Sequence, residues 1–236
     1  MFTTSSLYRS ANAVLVISVL TAVILEIVLL ALNQIDALFQ PPAVTIPFGT
    51  RLIQMFSFLT TQSNLLAGVV AAVAVIAPHR DGRIWRVVRL DALIGIAAIG
   101  IGFQILFAPS LDLTGLPLLL TVLYHYVDPL LAVLIWLLPD QRRTWRYTDV
   151  LPAMIWPATW MIFVFGYGAI THWYPYGIVD VAVVGAGAAY RTGALTLILL
   201  FLFGLILVAV DRWRRQGLDH QVPENPGVPE TGANVE

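Results

Sequence analysis

Six runs of apolar residues set the pattern of this chain: 11–32, 52–77, 92–107, 116–138, 151–171 and 192–210. A bilayer crossing takes about 20 mostly apolar residues as an α-helix. Five runs reach that length or nearly so. The third is shorter and stops at Pro109, so its helix must borrow residues from either end. The pattern predicts an all-α integral membrane protein, a bundle of six transmembrane helices. The first run is longer than the core of a signal peptide and no small-x-small cleavage site follows it, so it reads as a retained helix. Residues 217–236 (GLDHQVPENPGVPETGANVE) are polar and carry prolines. They predict a disordered C-terminal tail after a transmembrane domain spanning 1–216. Pro152 and Pro157 predict a kink in the fifth helix. Gly185-Ala186-Gly187 lacks the third glycine and the strand-to-helix setting of a dinucleotide fingerprint, and reads as a flexible loop.

Composition sharpens the class. Of 236 residues, 58% are hydrophobic and 11% charged, against about 25% charged in soluble domains. Most of the outer surface must therefore face lipid, and membrane lipids are the expected surroundings. The net charge of -1 gives no pull toward nucleic acid. The absence of cysteine excludes disulfides, thiolate catalysis and cysteine metal sites.

Arginine placement orients the bundle. Arg9 precedes the first run. Arg80, Arg83, Arg86 and Arg89 lie between the second and third, Arg142, Arg143 and Arg146 between the fourth and fifth, and Arg212, Arg214 and Arg215 after the sixth. Only Arg51 and Arg191 fall in the alternate loops. Cytoplasmic loops are enriched in arginine and lysine, so both termini are expected in the cytoplasm and the chain in the plasma membrane. An error of one span would destroy the pattern.

Polar groups within the apolar runs are candidate chemistry, because an ionisable side chain there costs at least about 2.5 kcal/mol. Glu26, His125 and Asp128 are the ionisable ones. At 100° per residue, Thr121, His125 and Asp128 share a stripe of the fourth helix, and Gln54, Ser57, Thr60, Thr61 and Asn64 share an arc of the second. Counted from the outer boundary at 1.5 Å per residue, Thr60 and His125 both lie about 12 Å deep. A polar layer in the outer half of the bundle follows. Such residues often serve only as hydrogen-bonding glue between helices, and the Trp156, Trp160, Phe163, Tyr167 stripe suits packing or lipid contact. No G-x-S-x-G or H-E-x-x-H occurs. His125 and His172, alone near the outer side, are too few for a haem or zinc centre, so no cofactor or metal is expected.

Three segments, FSFLTTQSNLL (56–66), YHYVDPLL (124–131) and HWYPYGIVD (172–180), resemble bacterial members of the androgen-induced membrane protein family. Its animal members are intramembrane threonine hydrolases of fatty acid esters of hydroxy fatty acids. The resemblance covers the second to fifth helices. In that family the nucleophilic threonine follows an aromatic-Leu or aromatic-aromatic pair, which implies Thr60 after Phe58-Leu59, with the adjacent Thr61 as rival nucleophile. The family histidine before a proline falls on His125, four residues ahead of Pro129. Two functions remain in play. One is an intramembrane hydrolase of lipid (fatty acyl) esters, with Thr60 as nucleophile, His125 as base, and Thr61, Asn64, Glu26 and Asp128 in possible support. Asn64 is expected to donate to the oxyanion, Asp128 to tune the imidazole, and Glu26 to pair with a donor on another helix. The other is a non-catalytic carrier or lipid-binding scaffold built on Glu26, His125 and Asp128. A threonine hydroxyl within hydrogen-bond reach of the imidazole separates them.

Overall fold

The computed structural model describes residues 4–35, 46–138 and 145–219. Among them the chain is helical without a strand. Six helical segments are long and apolar enough to cross a membrane: Ser6–Ala31, Leu59–Ile76, Arg83–Leu106, Gly115–Leu137, Tyr147–Thr171 and Ala186–Gln216. Helix α1 is Thr4–Ala31, α2 Phe48–Ser57, α3 Leu59–Ile76 and α4 Arg83–Leu106. The fourth span joins α5 (Gly115–Val122), a π-helical turn (Leu123–Val127) and α6 (Asp128–Leu137). Helices α7 (Val150–Ala153) and α8 (Ile155–Thr171) make the fifth, a short α9 (Val181–Val184) follows, and α10 (Ala186–Asp219) is the sixth.

Helix α4 lies in the middle. It packs on α3 and α6 on one side, and on α7 and α10 on the other. Helix α1 closes the first group against α3 and α6. Leu15, Val19, Leu30, Met55 and Tyr124 fill one core; Leu90, Ile94, Val150 and Val208 fill a second across α4. The outward positions are large and apolar, among them Ile17, Ile24, Val69, Ile101, Ile162 and Leu199. That is the distribution a lipid-facing surface requires.

Some expectations are corrected and others are met. The second run is not one helix: it breaks at Phe58, whose backbone is extended (φ -70°, ψ 134°). The third span gains its length at its start, taking in Arg83 to Asp91. Gly185 has φ 79°, a left-handed value that suits glycine. Ala186 and Gly187 then begin α10, so this stretch starts a helix and is no flexible loop. Helix α10 continues through 217–219 to Asp219; the rest of the expected tail, 220–236, lies outside the described residues. The fifth span is interrupted at Met154, between the two prolines.

The arginine-bearing ends come together at one end of the bundle. Arg86 grips Asp149 through two contacts, Nε to Oδ2 at 2.6 Å and Nη2 to Oδ1 at 3.1 Å, with both side chains buried. Trp145 donates its indole N–H to the Arg86 carbonyl at 3.1 Å, and its backbone N–H to Asp211 Oδ2 at 3.4 Å. Arg214 caps the end of α6 through the carbonyls of Trp136 and Leu137. At the other end, buried Arg51 donates to Asn33 and to the Ile35 carbonyl, closing the C-terminus of α1.

Candidate functional site

The site forms at the end of the bundle opposite the arginines, around the break at Phe58. Breaking a helix frees backbone groups that must find partners when buried. Here side chains supply them. Trp160 Nε1 donates to the Ser57 carbonyl at 2.9 Å, and Gln62 Nε2 reaches back to the Phe56 carbonyl at 2.9 Å. The Thr60 N–H donates to the Tyr176 hydroxyl at 3.4 Å. Thr60 thus sits in the first turn of α3, where backbone N–H groups lack intrahelical acceptors.

The π-helical turn positions the imidazole. In a regular helix the Pro129 ring would clash with the carbonyl of His125, four residues earlier, and could not donate to it. The wider turn accommodates the ring: the Asp128 N–H bonds the Leu123 carbonyl, five residues back. Insertions of this kind recur at functional sites. Two neighbours fix the result. The Phe103 ring stacks on the imidazole at 3.9 Å between centroids. A Cβ at Gly100 would lie 3.1 Å from the His125 carbonyl oxygen and 3.0 Å from Pro129 Cβ, so glycine permits this close approach of α4.

Thr60 Oγ1 lies 3.5 Å from His125 Nε2, at the long end of contact. His125 Nδ1 lies 3.1 Å from the Thr121 carbonyl. A carbonyl only accepts, so Nδ1 carries the proton and Nε2 presents its lone pair to the threonine. The Tyr176 hydroxyl lies 3.4 Å from Thr60 Oγ1 as well as from Thr60 N. Rings of Phe58, Phe107 and Trp160 surround Tyr176 at 5.3 Å, 5.8 Å and 6.1 Å between centroids. Burial pushes its phenol above its ordinary range, so it stays protonated and can donate.

These groups border a cavity of about 640 Å³. Thr60, Thr61, His125, Tyr124, Tyr176, Glu26 and Thr196 are its polar lining; apolar side chains of α4, α10 and the segments around Phe58, Phe107 and Tyr176 make most of the rest. Ile101, Ile105, Leu106 and Leu199 line it and are also exposed on the outer surface. Leu111 and Ile178 of the neighbouring loops line it and are exposed too, so its mouth runs along α4 and α10 to that end of the bundle.

The predicted residues divide. Thr60 and His125 meet, as equal depth required. Thr61 lines the cavity but makes no hydrogen bond to the imidazole. Asn64 is corrected: its amide donates to the carbonyls of Thr60 at 2.9 Å and Tyr124 at 3.2 Å, so both hydrogens are committed. It ties α3 to the fourth span and leaves nothing for an oxyanion. Asp128 is corrected too: it is fully buried, does not line the cavity and makes no bond to His125, whose Nδ1 is held by Thr121. Glu26 faces the bundle, 2% exposed, and adjoins Tyr124, but its Oε2 has no hydrogen-bond partner among the described residues. Tyr176 is the site residue that sequence reasoning missed. Its segment HWYPYGIVD stands out in the sequence, but nothing in helical spacing brings residue 176 to residue 60.

The chain matches no family model, no curated protein sequence and no solved structure.

Proposed function

We propose that this protein is an intramembrane hydrolase of lipid esters, with Thr60 as nucleophile and His125 as general base. The observation that carries the reading is the line of Thr121 carbonyl, His125 Nδ1–H, His125 Nε2 and Thr60 Oγ1. Threonine is a weak nucleophile until a base takes its proton, and a base oriented by a third group is the recurrent solution. A span of 3.5 Å is loose, but such contacts tighten when substrate binds. The resemblance to the androgen-induced membrane protein family points the same way.

In this reading an acyl chain enters along α4 and α10 and brings its ester carbonyl to Thr60. Oγ1 bonds to the carbonyl carbon while its proton passes to His125 Nε2. The Tyr176 hydroxyl receives the charge on the carbonyl oxygen. The carbon to alkoxy-oxygen bond breaks, and the leaving alcohol takes the proton from His125. Water, activated by the same imidazole, then releases the fatty acid from Thr60. Asn64 holds the register of the two helices.

The test is hydrolysis of a panel of lipid esters by the purified chain. Thr60→Ala and His125→Ala should each fall about a thousandfold or more, and Thr61→Ala should stay within about tenfold of wild type. A wild-type rate in His125→Ala, or in Thr60→Ala, would refute the mechanism. Inactivity of the wild type itself would favour the carrier or lipid-binding scaffold.

The arginine-bearing end is assigned to the cytoplasm of the plasma-membrane barrier, with both termini on that side. Reporter fusions after residues 82 and 219 should give the same, cytoplasmic, reading; opposite readings would overturn the orientation.

A further inference from the structure

We propose that a second cavity, at the arginine-bearing end between α1, α3, α4, α6 and α10, binds the phosphate of an anionic phospholipid from the adjoining leaflet. That end is tightly bonded but not solid: the cavity has a volume of about 90 Å³. A single water needs about 10–15 Å³, so a polyatomic anion fits. Tyr8, Val70, Trp136 and Arg215 line it and are only half-buried, so it opens to the surface. Its polar lining sits near helix ends: Tyr8 and Asn12 in the first three turns of α1, Arg89 in the second turn of α4, Asp211 and Arg215 toward the end of α10. Farther along the same helices the lining is apolar, with Leu15 on α1 and Ile96 on α4. Small side chains at Ala67, Ala71, Ala92 and Ala132 leave the space between the helices open. The result is a charged rim over an apolar floor, which matches an amphiphile.

The rim favours an anion. Two guanidiniums, Arg89 and Arg215, line it against one carboxylate, Asp211. That carboxylate already accepts from Trp136 Nε1 at 3.3 Å and from the Trp145 N–H at 3.4 Å, and pairs with Arg215 Nε at 3.4 Å. A guanidinium carries five N–H donors, so one neighbour does not exhaust it, and its planar fork suits phosphate oxygens. Basic pockets between spanning helices are recurrent headgroup sites. The height of the rim points to a lipid rather than a free anion. Trp213, on the same stretch of α10 as Asp211 and Arg215, is exposed, and so is Tyr147. Exposed indoles and phenols of a spanning bundle stand at headgroup level, where the phosphates of the leaflet lie. The cavity is at the opposite end from Thr60 and His125, so the proposal stands independently of the hydrolase reading.

The experiment is thermal unfolding of the purified full chain in detergent at about 0.15 M ionic strength, with phosphatidylglycerol, phosphatidylcholine or inorganic phosphate added. Phosphatidylglycerol should raise the midpoint by about 3 °C or more, in a saturable manner, and the other two by less than about 1 °C. Arg215→Gln removes a rim charge and Ala132→Leu fills the floor; each should at least halve the shift. Arg212→Gln, at an exposed position outside the cavity, should leave the shift whole. An equal rise with phosphatidylcholine would overturn the proposal, as general solvation by lipid. A rise with inorganic phosphate as large as that with phosphatidylglycerol would overturn the lipid as the source. Equal losses in Arg212→Gln and Arg215→Gln would assign the response to surface charge and overturn the cavity, as would an undiminished response in both cavity variants. Should one cavity variant fail to fold, the other decides; should both fail, the comparison of lipids and Arg212→Gln decides.

Discussion

The two ends of the bundle treat polar groups in opposite ways. At the arginine-bearing end, Arg86 is bidentate on Asp149, the Arg146 N–H adds a 2.9 Å bond to the same carboxylate, and the Arg86 carbonyl is taken by Trp145. Trp136 Nε1 donates to Asp211 at 3.3 Å, and Arg215 pairs with Asp211 one turn on. At the opposite end a helix is broken, a proline widens a turn, and a large cavity opens beside α4 and α10. There the polar atoms meet at long distances, 3.4 to 3.5 Å around Thr60. The buried bidentate Arg86–Asp149 pair fixes how helices sit; the long contacts of Thr60 Oγ1 beside open space leave room for a substrate. The closed end gives the bundle its geometry, and the open end uses it.

The largest effect expected from this division is on stability. Asp149→Ala would leave the Arg86 guanidinium buried without its partner, and breaking a buried pair from one side costs about 3–5 kcal/mol. Chemical or thermal unfolding in detergent should register that loss. The rate per folded molecule should hold, because Asp149 lies at the far end from Thr60. A variant that unfolds normally but loses hydrolysis would show that the ends are not separable in this way.

How far the sequence reached follows the same line. Span count and grouping of the arginine segments were legible, because bilayer thickness and the placement of Arg80 to Arg89 and Arg212 to Arg215 act over whole segments. Thr60 and His125 were legible as a pair, because each has a fixed depth along its own helix. The break at Phe58 was not. The segment FSFLTT contains neither proline nor glycine, and the freed carbonyls are satisfied by Trp160 from another span and by Gln62. Tyr176 escaped for a related reason: a loop residue has no helical phase, and its place is set in part by Thr60 and the Phe58 ring, more than a hundred residues away in sequence. Asn64 is legible as a polar residue of the same arc, but its carbonyl partners, which set its task, are not.

Tyr176→Phe sharpens the open end. The ring keeps its contacts with Phe58, Phe107 and Trp160, so the fold should survive, and only the hydroxyl is lost. Removing one donor to a developing oxyanion costs about a hundredfold in kcat. The loss should fall on kcat rather than KM. An unchanged kcat would remove Tyr176 from the chemistry and leave it a packing role.

Trp160→Phe is the smallest change and asks what holds the break open. The indole N–H donates to the Ser57 carbonyl at 2.9 Å, while its ring packs against Tyr176. Phenylalanine keeps much of the ring contact and drops the hydrogen bond. A single neutral bond contributes about 1 kcal/mol net, and the break has other ties, through Gln62 to Phe56 and Tyr176 to Thr60. Stability should therefore fall by about 1 kcal/mol, and kcat by less than about tenfold, far short of the Tyr176→Phe loss. If Trp160→Phe instead matched Tyr176→Phe in kcat, the placement of the α3 N-terminus would be the sensitive element. The Tyr176 hydroxyl would then act on the reaction through the position of Thr60 rather than by touching the oxyanion.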